Sequence, residues 1–595
     1  MSMKSRFFLS LGIIACLSLP AFAQNENLKW WNPQSATFPV IEGQAWTKEV
    51  KNPYDRLPAR AEKQVRDEVW KLSNQSAGLM IRFRANSSQI KIRYTVGGKH
   101  ALPHMPTTGV SGVDLYSIAS DGETRWCAGK YAFGDTITYD FKGLEPNDKY
   151  HTHGREYRLF LPLYNSVKWL EIGTPDRTEF TPLPVRPDKP IVIYGTSIAQ
   201  GGCASRPGMA WTAILSRKMD RPLINLGFSG NGRLEKEVVD IVSEIDAKVF
   251  VLDCLPNLII QPESKLGLTS DIIKDRILAT VKTLRGKHPE TPIVLASHAG
   301  YTDDGVNPQR KHFYEEANET LGLAFRQLKA EGINNLYLIP REDFGLDIEG
   351  TVDGTHPNDI GMMDYAEGYE KHLRDILHEN QGTLATTRPI TQLRELHGYD
   401  WEARHKEILD LNAKSAPQTI VIGNSITHYW GGNPKASRAA GADSWETTFG
   451  KNARNLGFGW DRIENVLWRV YHGELDGFSA KNIFINIGTN NLGLSSDDEV
   501  VEGWKMLIDA LKFRQPNARI NMMGIYPRRQ QEPRVAKLNE RLALICGEKN
   551  VGYIDPGQVF LQKDGKIDES LFSDGLHPNA KGYSLLGAQI KPYVK

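Results

Sequence analysis

Cysteine is scarce in this 595-residue chain, with five in all (Cys16, Cys127, Cys203, Cys254 and Cys546) and neither a CxxC pair nor a Cys/His ligand spacing. That excludes a disulfide-dense scaffold and a structural zinc module, and the later four read as buried thiols whose pairing, if any, spacing leaves open. Charge of one sign is also missing: 72 Lys and Arg stand against 71 Asp and Glu, a formal net charge of +1. There is no basic footprint for nucleic acid and no acidic tail. No HExxH or clustered histidine set is present, so no metal and no organic cofactor is expected. After the first residues no apolar run reaches the roughly 20 residues of a membrane span.

What is present begins with an export signal. Lys4 and Arg6 precede an apolar stretch from Phe7 to Leu19, and Ala21-Phe22-Ala23 forms a small-x-small cleavage site. Residues 1–23 are read as a signal peptide and the protein as periplasmic or extracellular. Anchoring as a lipoprotein through Cys16 is the lesser alternative, since Ile13-Ile14-Ala15-Cys16 only loosely fits that processing site.

Residues 24–187 read as a β-sandwich. Leu79, Ile81 and Phe83 alternate with Met80, Arg82 and Arg84, and Ile90, Ile92 and Tyr94 alternate with Lys91 and Arg93, which predicts a hairpin with one apolar face. Further strands are expected near Gly112 to Tyr116, Tyr157 to Leu163 and Val167 to Ile172. The run Thr181-Pro182-Leu183-Pro184-Val185-Arg186-Pro187 has too many prolines for a central strand and marks a linker. From residue 188 short apolar strands alternate with amphipathic helices. One such helix is Asp271 to Leu284, with Ser270 as its expected N-cap and Gly286 near its end. This predicts an α/β/α layered unit over 188–380. A second unit over 381–595 follows a helical connector near Trp401 to Leu411, and the whole series repeats.

Polar residues recur at matched places in the two units. The first carries Gly195-Thr196-Ser197-Ile198 after its first strand, then Asn225-Leu226-Gly227-Phe228-Ser229-Gly230-Asn231, then Asn257, then Asp353-Gly354-Thr355-His356-Pro357. The second carries Gly423-Asn424-Ser425-Ile426, Asn455-Leu456-Gly457-Phe458-Gly459-Trp460-Asp461, Gly488-Thr489-Asn490-Asn491, and Asp574-Gly575-Leu576-His577-Pro578. A serine hydroxyl needs an imidazole to take its proton, and the imidazole needs a carboxylate to fix its tautomer. An oxyanion needs fixed donors, which the serine N–H, an N–H of the glycine-rich loop and an asparagine amide can supply.

These motifs make both units resemble the SGNH (GDSL-type) hydrolase family, over about 188–378 and 390–595. The second is similar to the catalytic subunits of platelet-activating-factor acetylhydrolases, through Leu456-Gly457-Phe458-Gly459-Trp460-Asp461-Arg462, Val466-Leu467-Trp468-Arg469 and Gly473-Glu474-Leu475. The N-terminal part, with Gly112-Val113-Asp114-Leu115-Tyr116, resembles the β-sandwich that precedes SGNH domains in exported bacterial esterases. The resemblance implies nucleophiles Ser197 and Ser425, bases His356 and His577, and orienting carboxylates Asp353 and Asp574. It implies oxyanion donors Gly230 and Asn257 in the first site and Asn490 in the second. Three departures stand out. Thr196 and Asn424 precede the serines where the family often has aspartate. Trp460 aligns with the oxyanion glycine, leaving the donor as either Gly459 or Trp460. Asn257 also lies one residue beyond the expected counterpart of Asn490.

Asn225 and Asn455 are expected to satisfy backbone groups, and Met362-Met363 to lie in a helix core. His298, His428 and Trp430 are candidates for pocket walls or for packing, and Trp30, Trp31 and Trp126 for sugar stacking or packing. The expected activity is removal of small acyl groups, O-acetyl above all, from an acylated polysaccharide or oligosaccharide. A lipid or lysophospholipid esterase is the second reading, and a catalytic unit beside a carbohydrate-binding one the third.

Overall fold

A computed structural model of the protein describes residues 27–119, 122–147, 154–261, 266–392 and 399–594. The expected leader, including Cys16, lies outside them. The other four cysteines are buried free thiols.

Among the described residues, eleven short strands make the N-terminal part: β1 (Leu28–Trp31), β2 (Ile41–Glu42), β3 (Met80–Ala85), β4 (Gln89–Val96), β5 (Asp114–Ile118), β6 (Thr124–Cys127), β7 (Lys130–Ala132), β8 (Ile137–Lys142), β9 (Arg155–Phe160), β10 (Val167–Pro175) and β11 (Phe180–Pro182). One sheet runs β1-β10-β4-β8-β7 and the other β11-β3-β9-β5-β6, with β2 beside β3. The predicted hairpin is therefore corrected. β3 pairs with β9 while β4 pairs with β10 and β8, so the turn between them crosses from one sheet to the other. Leu79, Ile81, Phe83, Ile90, Ile92 and Tyr94 are all fully buried, facing each other across the sandwich. Alternation identifies an apolar face but not the neighbour across it. The other face of the β3 sheet is also covered: Met80, Tyr116 and Phe160 share a core with Ile191, Ile193 and Trp211 of the next unit. Pro182 pairs only at the sheet edge, where its missing N–H costs no ladder bond.

Two five-stranded parallel sheets follow. The first holds β12 (Ile191–Gly195), β13 (Leu223–Gly227), β14 (Val249–Asp253), β15 (Ile293–Ala296) and β16 (Leu336–Ile339), in the order β13-β12-β14-β15-β16. The second holds β17 (Thr419–Gly423), β18 (Ala453–Gly457), β19 (Asn482–Asn486), β20 (Arg519–Met523) and β21 (Gly552–Ile554), in the order β18-β17-β19-β20-β21. Their central strands are near-continuous apolar runs because helices cover both faces. In each sheet the first strand sits between the second and third, the switch point at which open α/β sheets bind ligands. The helix Ser270–Lys287 is capped by Thr269, whose hydroxyl accepts from the Ile272 N–H, and not by Ser270 as expected.

The two α/β units meet through residues that precede their strands. Asp188, Arg221 and Lys248 come before β12, β13 and β14; Tyr471, His472 and Asp476 come before β19. His472 Nδ1 lies 2.7 Å from Asp188 Oδ1, Arg221 donates to Glu379 and to the Tyr471 carbonyl, and Lys248 Nζ lies 2.7 Å from Asp476. The amino-terminal edges of both sheets therefore face each other, and their carboxyl edges point away from the interface. A buried ionic chain continues inward: Asp188 Oδ1 lies 3.8 Å from His405 Nε2, His405 Nδ1 pairs with Glu474 at 2.8 Å, and Arg469 bridges Glu474 and Asp461 at 2.6 and 2.9 Å.

This chain makes stability depend on pH. Burial alone would depress His405, but the carboxylates of Asp188 and Glu474 outweigh it and lift the imidazole to about 9. Burial, reinforced by Arg221, depresses His472 to about 4. The raised group contributes stability that is complete below its unfolded pKa of about 6.5 and is lost as pH rises towards 9. The depressed group contributes none of its penalty above about 6.5 and destabilises as pH falls towards 4. Urea midpoints measured across pH are expected to peak near neutrality, with His405→Gln flattening the alkaline limb and His472→Gln the acid limb.

Candidate active sites

β12 and β17 end at Gly195 and Gly423, and each chain turns at once into a short helix, Ser197–Gln200 or Ser425–His428. Thr196 and Asn424 are the N-caps, their side-chain oxygens accepting from the N–H of Ile198 at 3.3 Å and of Ile426 at 2.9 Å. An aspartate in that place would make the same bond, so the cap is kept with threonine or asparagine there. Each serine is thereby the first residue of a helix, where backbone N–H groups have no intrahelical acceptor.

The Asp-Gly-x-His turn delivers the imidazole. Ser197 Oγ lies 2.9 Å from His356 Nε2, and His356 Nδ1 lies 2.8 Å from Asp353 Oδ2. The second site repeats this at 2.8 Å for Ser425 to His577 and 2.7 Å for His577 to Asp574. The other oxygen of each aspartate closes its own turn, accepting from the N–H of His356 and Thr355 or of His577 and Leu576. Gly354 and Gly575, at φ +78° and +80°, supply the left-handed step this needs. Partial burial would raise the two carboxyls, but the bonds from the histidine N–H and ring hold both below the usual carboxylate range. They stay ionised and present the Nε2 lone pair to the serine. A hydroxyl in this contact can pass its proton to the ring as it attacks an acyl carbon.

The third and fourth loops start at the same level. Gly195 pairs with both Gly227 and Asp253, and Gly423 with both Gly457 and Asn486. Asn257 and Asn490 each lie four residues past the paired strand end, so the expected one-residue offset does not exist. Asn257 Oδ1 accepts from the Gly232 N–H at 3.1 Å, while Asn490 Nδ2 donates to the Asp461 carbonyl at 2.9 Å. The Gly459 N–H is engaged within the fold, donating to His428 Nδ1 at 3.2 Å, as that of Ser229 donates to Gln200. Trp460 takes the left-handed backbone instead, at φ +67° against +68° for Gly230.

Other candidates turn out to be structural. Asn225 and Asn455 each accept the N–H two residues on and donate to carbonyls of the serine-bearing segment, as expected. His298 is enclosed, its Nδ1 accepting from the Gly300 N–H, and burial depresses it to about 3. His428 is depressed likewise, Trp430 lies in the core against Phe449 and Tyr583, and Met362 is fully buried. Trp31 packs on Phe180, Arg93 stacks on Trp30, and the exposed Trp126 donates to Asp114.

Sequence reasoning missed a pair of arginines. Arg56 is fully buried and donates to the carbonyls of Asn225 and Gly227 at 3.0 and 2.8 Å. Arg404 does the same for Asn455 and Gly457 at 3.2 and 2.9 Å. Both guanidinium groups also lie over the next phenylalanine, Phe228 or Phe458, at 5.0 and 5.3 Å. One comes from the N-terminal segment and the other from the helix Trp401–Lys414, with no shared motif to reveal them.

The rims differ. The sandwich supplies His104, whose ring lies 5.9 Å from that of His356, and Tyr164, whose hydroxyl donates to the Ser197 carbonyl at 3.2 Å. The second site has Tyr429, 5.7 Å from the His577 ring, with Arg438 over it at 5.5 Å, and Trp460, 54 % exposed.

A layered α/β sheet carrying Ser, His and Asp in one hydrogen-bonded line at its carboxyl edge defines a serine-type hydrolase, and here it occurs twice. Comparison with known proteins gives the family. A model of the GDSL-like lipase/acylhydrolase family matches residues 188–374, a second GDSL-like model matches 421–585, and a model of the N-terminus of SGNH-hydrolase-type esterases matches 28–180. A solved structure from Bacteroides ovatus, described as a GDSL-like lipase, is 34% identical and superposes with a TM-score of 0.53, covering 59% of this chain and 98% of that one. Platelet-activating factor acetylhydrolase IB subunit alpha1 of Bos taurus is 27% identical over 190 residues, 31% of this chain and 78% of the relative. The human alpha2 subunit is 29% identical over 198 residues, 32% and 82% respectively. The chain belongs to the GDSL-like (SGNH) hydrolase family and is a carboxylic ester hydrolase.

Arg404→Met is expected to destabilise by about 3 kcal/mol, the cost of leaving buried carbonyls unpaired. In the Ser197→Ala background it should also lower esterase turnover, whereas in the Ser425→Ala background turnover should hold. Urea unfolding and ester hydrolysis by the paired variants test both.

Proposed function

We propose that the protein removes small acyl groups, acetyl above all, from carbohydrate esters at two independent sites, and that export carries it to its substrate outside the cytoplasm. The observation that carries the reading is the Ser-His-Asp line completed twice within hydrogen-bond distance. Ser197 or Ser425 Oγ attacks the acyl carbon as its proton moves to His356 or His577 Nε2. The carbonyl oxygen becomes an oxyanion facing the serine N–H, the Gly230 or Trp460 N–H, and the Asn257 or Asn490 amide. The alcohol leaves with the proton from the imidazole, and the acyl group stays on the serine. Water then attacks the acyl-enzyme, giving its proton to the same histidine, and the acid departs as the serine regains its hydrogen.

The rims support a small acyl group and a polar alcohol, since His104, Tyr164, Tyr429 and Arg438 border the sites where a long chain would need an apolar channel. The relatives named acetylhydrolases support acetyl. They also favour a second reading, an acetyl ester of a phospholipid.

Acetate release from acetylated xylan, from an acetylated phospholipid and from a small aryl acetate separates these readings. Each single variant, Ser197→Ala or Ser425→Ala, is expected to keep part of the release from xylan and the double variant none. Undiminished release by the double variant would falsify the serine mechanism. In the Ser197→Ala background, Asp574→Asn is expected to lower kcat by about four orders of magnitude by reversing the tautomer of His577.

A further inference from the structure

Trp460 holds a backbone that tryptophan avoids. Its φ of +67° lies in the left-handed region, where a side chain crowds its own carbonyl and glycine is the ordinary occupant. Glycine does stand at the equivalent place in the first site: Gly230 has φ +68°, with open space where a Cβ would point. The neighbouring bonds match as well, the next N–H donating to Phe228 O in one loop and to Phe458 O in the other. The two loops thus share one backbone, which glycine suffices to hold in the first site. It is also not a core residue, because 54 % of it is exposed. A strained backbone that presents a large exposed aromatic beside a reacting group points to contact with a ligand.

The surroundings say which part of the substrate it meets. Trp460 lies between Gly459, tied to the Ser425 helix through His428, and Asp461, whose carbonyl holds Asn490. Its backbone N–H is the one the reading above gives to the oxyanion of the Ser425 site, and the Tyr429 ring lies 5.7 Å from that of His577. A small acyl group does not reach past this pair, so the alcohol portion does. Resting on the esterase reading above, we propose that Trp460 is the specificity-determining platform of the second site, stacking on a pyranose ring of the acylated alcohol. The first site, with Gly230 in this place and His104 and Tyr164 of the sandwich at its rim, lacks the platform and takes esters regardless of a ring.

The test uses the Ser197→Ala protein, in which only the second site can turn over, and two acetate esters, a peracetylated methyl xyloside and glyceryl triacetate. Trp460→Gly fits the backbone and removes the ring. The ratio of kcat/KM for the xyloside to that for the triacetate is expected to fall about tenfold, mainly through the KM of the xyloside. Trp460→Phe should keep most of the ratio. Trp460→Asn, which also tolerates this φ, should match the glycine variant and keeps the test decisive if glycine loosens the loop. An unchanged ratio in both small variants, or equal loss on both esters through kcat, would overturn the platform. A parent inert towards both esters would instead overturn the esterase reading of the second site, and the platform with it.

Discussion

The chemistry of both sites depends on three strands of a parallel sheet ending at one level. Gly195 is in register with Gly227 and Asp253, and Gly423 with Gly457 and Asn486. From that level one strand opens into the serine helix, one into the loop of Gly230 or Trp460 and one into the loop of Asn257 or Asn490. A shift of one residue in any strand would turn its buried side chains over and carry its loop away from the others. The buried arginines Arg56 and Arg404 seal the ends of the flanking strands, where carbonyls would otherwise lack donors. Only the Asp-x-x-His turn is fixed independently, by an aspartate that caps its own backbone and grips the imidazole with its second oxygen.

Duplication has preserved these constraints and varied what surrounds them. The two clamp arginines come from unrelated segments yet reach the same two carbonyls. The rim of the first site comes partly from the sandwich, whereas that of the second comes from within its own unit. Because the units dock by the amino-terminal edges of their sheets, their carboxyl edges face apart and neither site occludes the other. The interface itself is ionic and buried: Asp188, His405, Glu474 and Arg469 are all almost wholly enclosed, with the neutral His472 beside Asp188. Buried charges of this kind persist only when each has its partners, so the chain links the docking of the units to the geometry around Asp461, next to Trp460.

Several features were legible in the residues alone. Period-two alternation marked the sandwich, strand-helix alternation marked the layered units, and the repeated Gly-x-Ser and Asp-Gly-x-His motifs marked the reacting groups, because these patterns are local. Other readings failed for want of the third dimension. Leu79 to Tyr94 looked like a hairpin because each strand has one apolar face, and only packing shows that the faces oppose each other from different sheets. His428 and Trp430 were open between pocket wall and packing from sequence, and only the fold shows that both are buried. The offset of Asn257 disappeared once strand register replaced counting along loops.

The sequence by itself determined the architecture, the duplication and the identity of the serine, histidine and aspartate in each unit, since these rest on periodicity and on spacing within a turn. Tertiary structure alone decided which loop N–H groups are already bonded, which arginines close the strand ends, and that the sites face apart. Those depend on contacts between residues far apart in the chain. It also decided the place of Trp460, whose residue type argued against the left-handed backbone that the surrounding loop imposes on it.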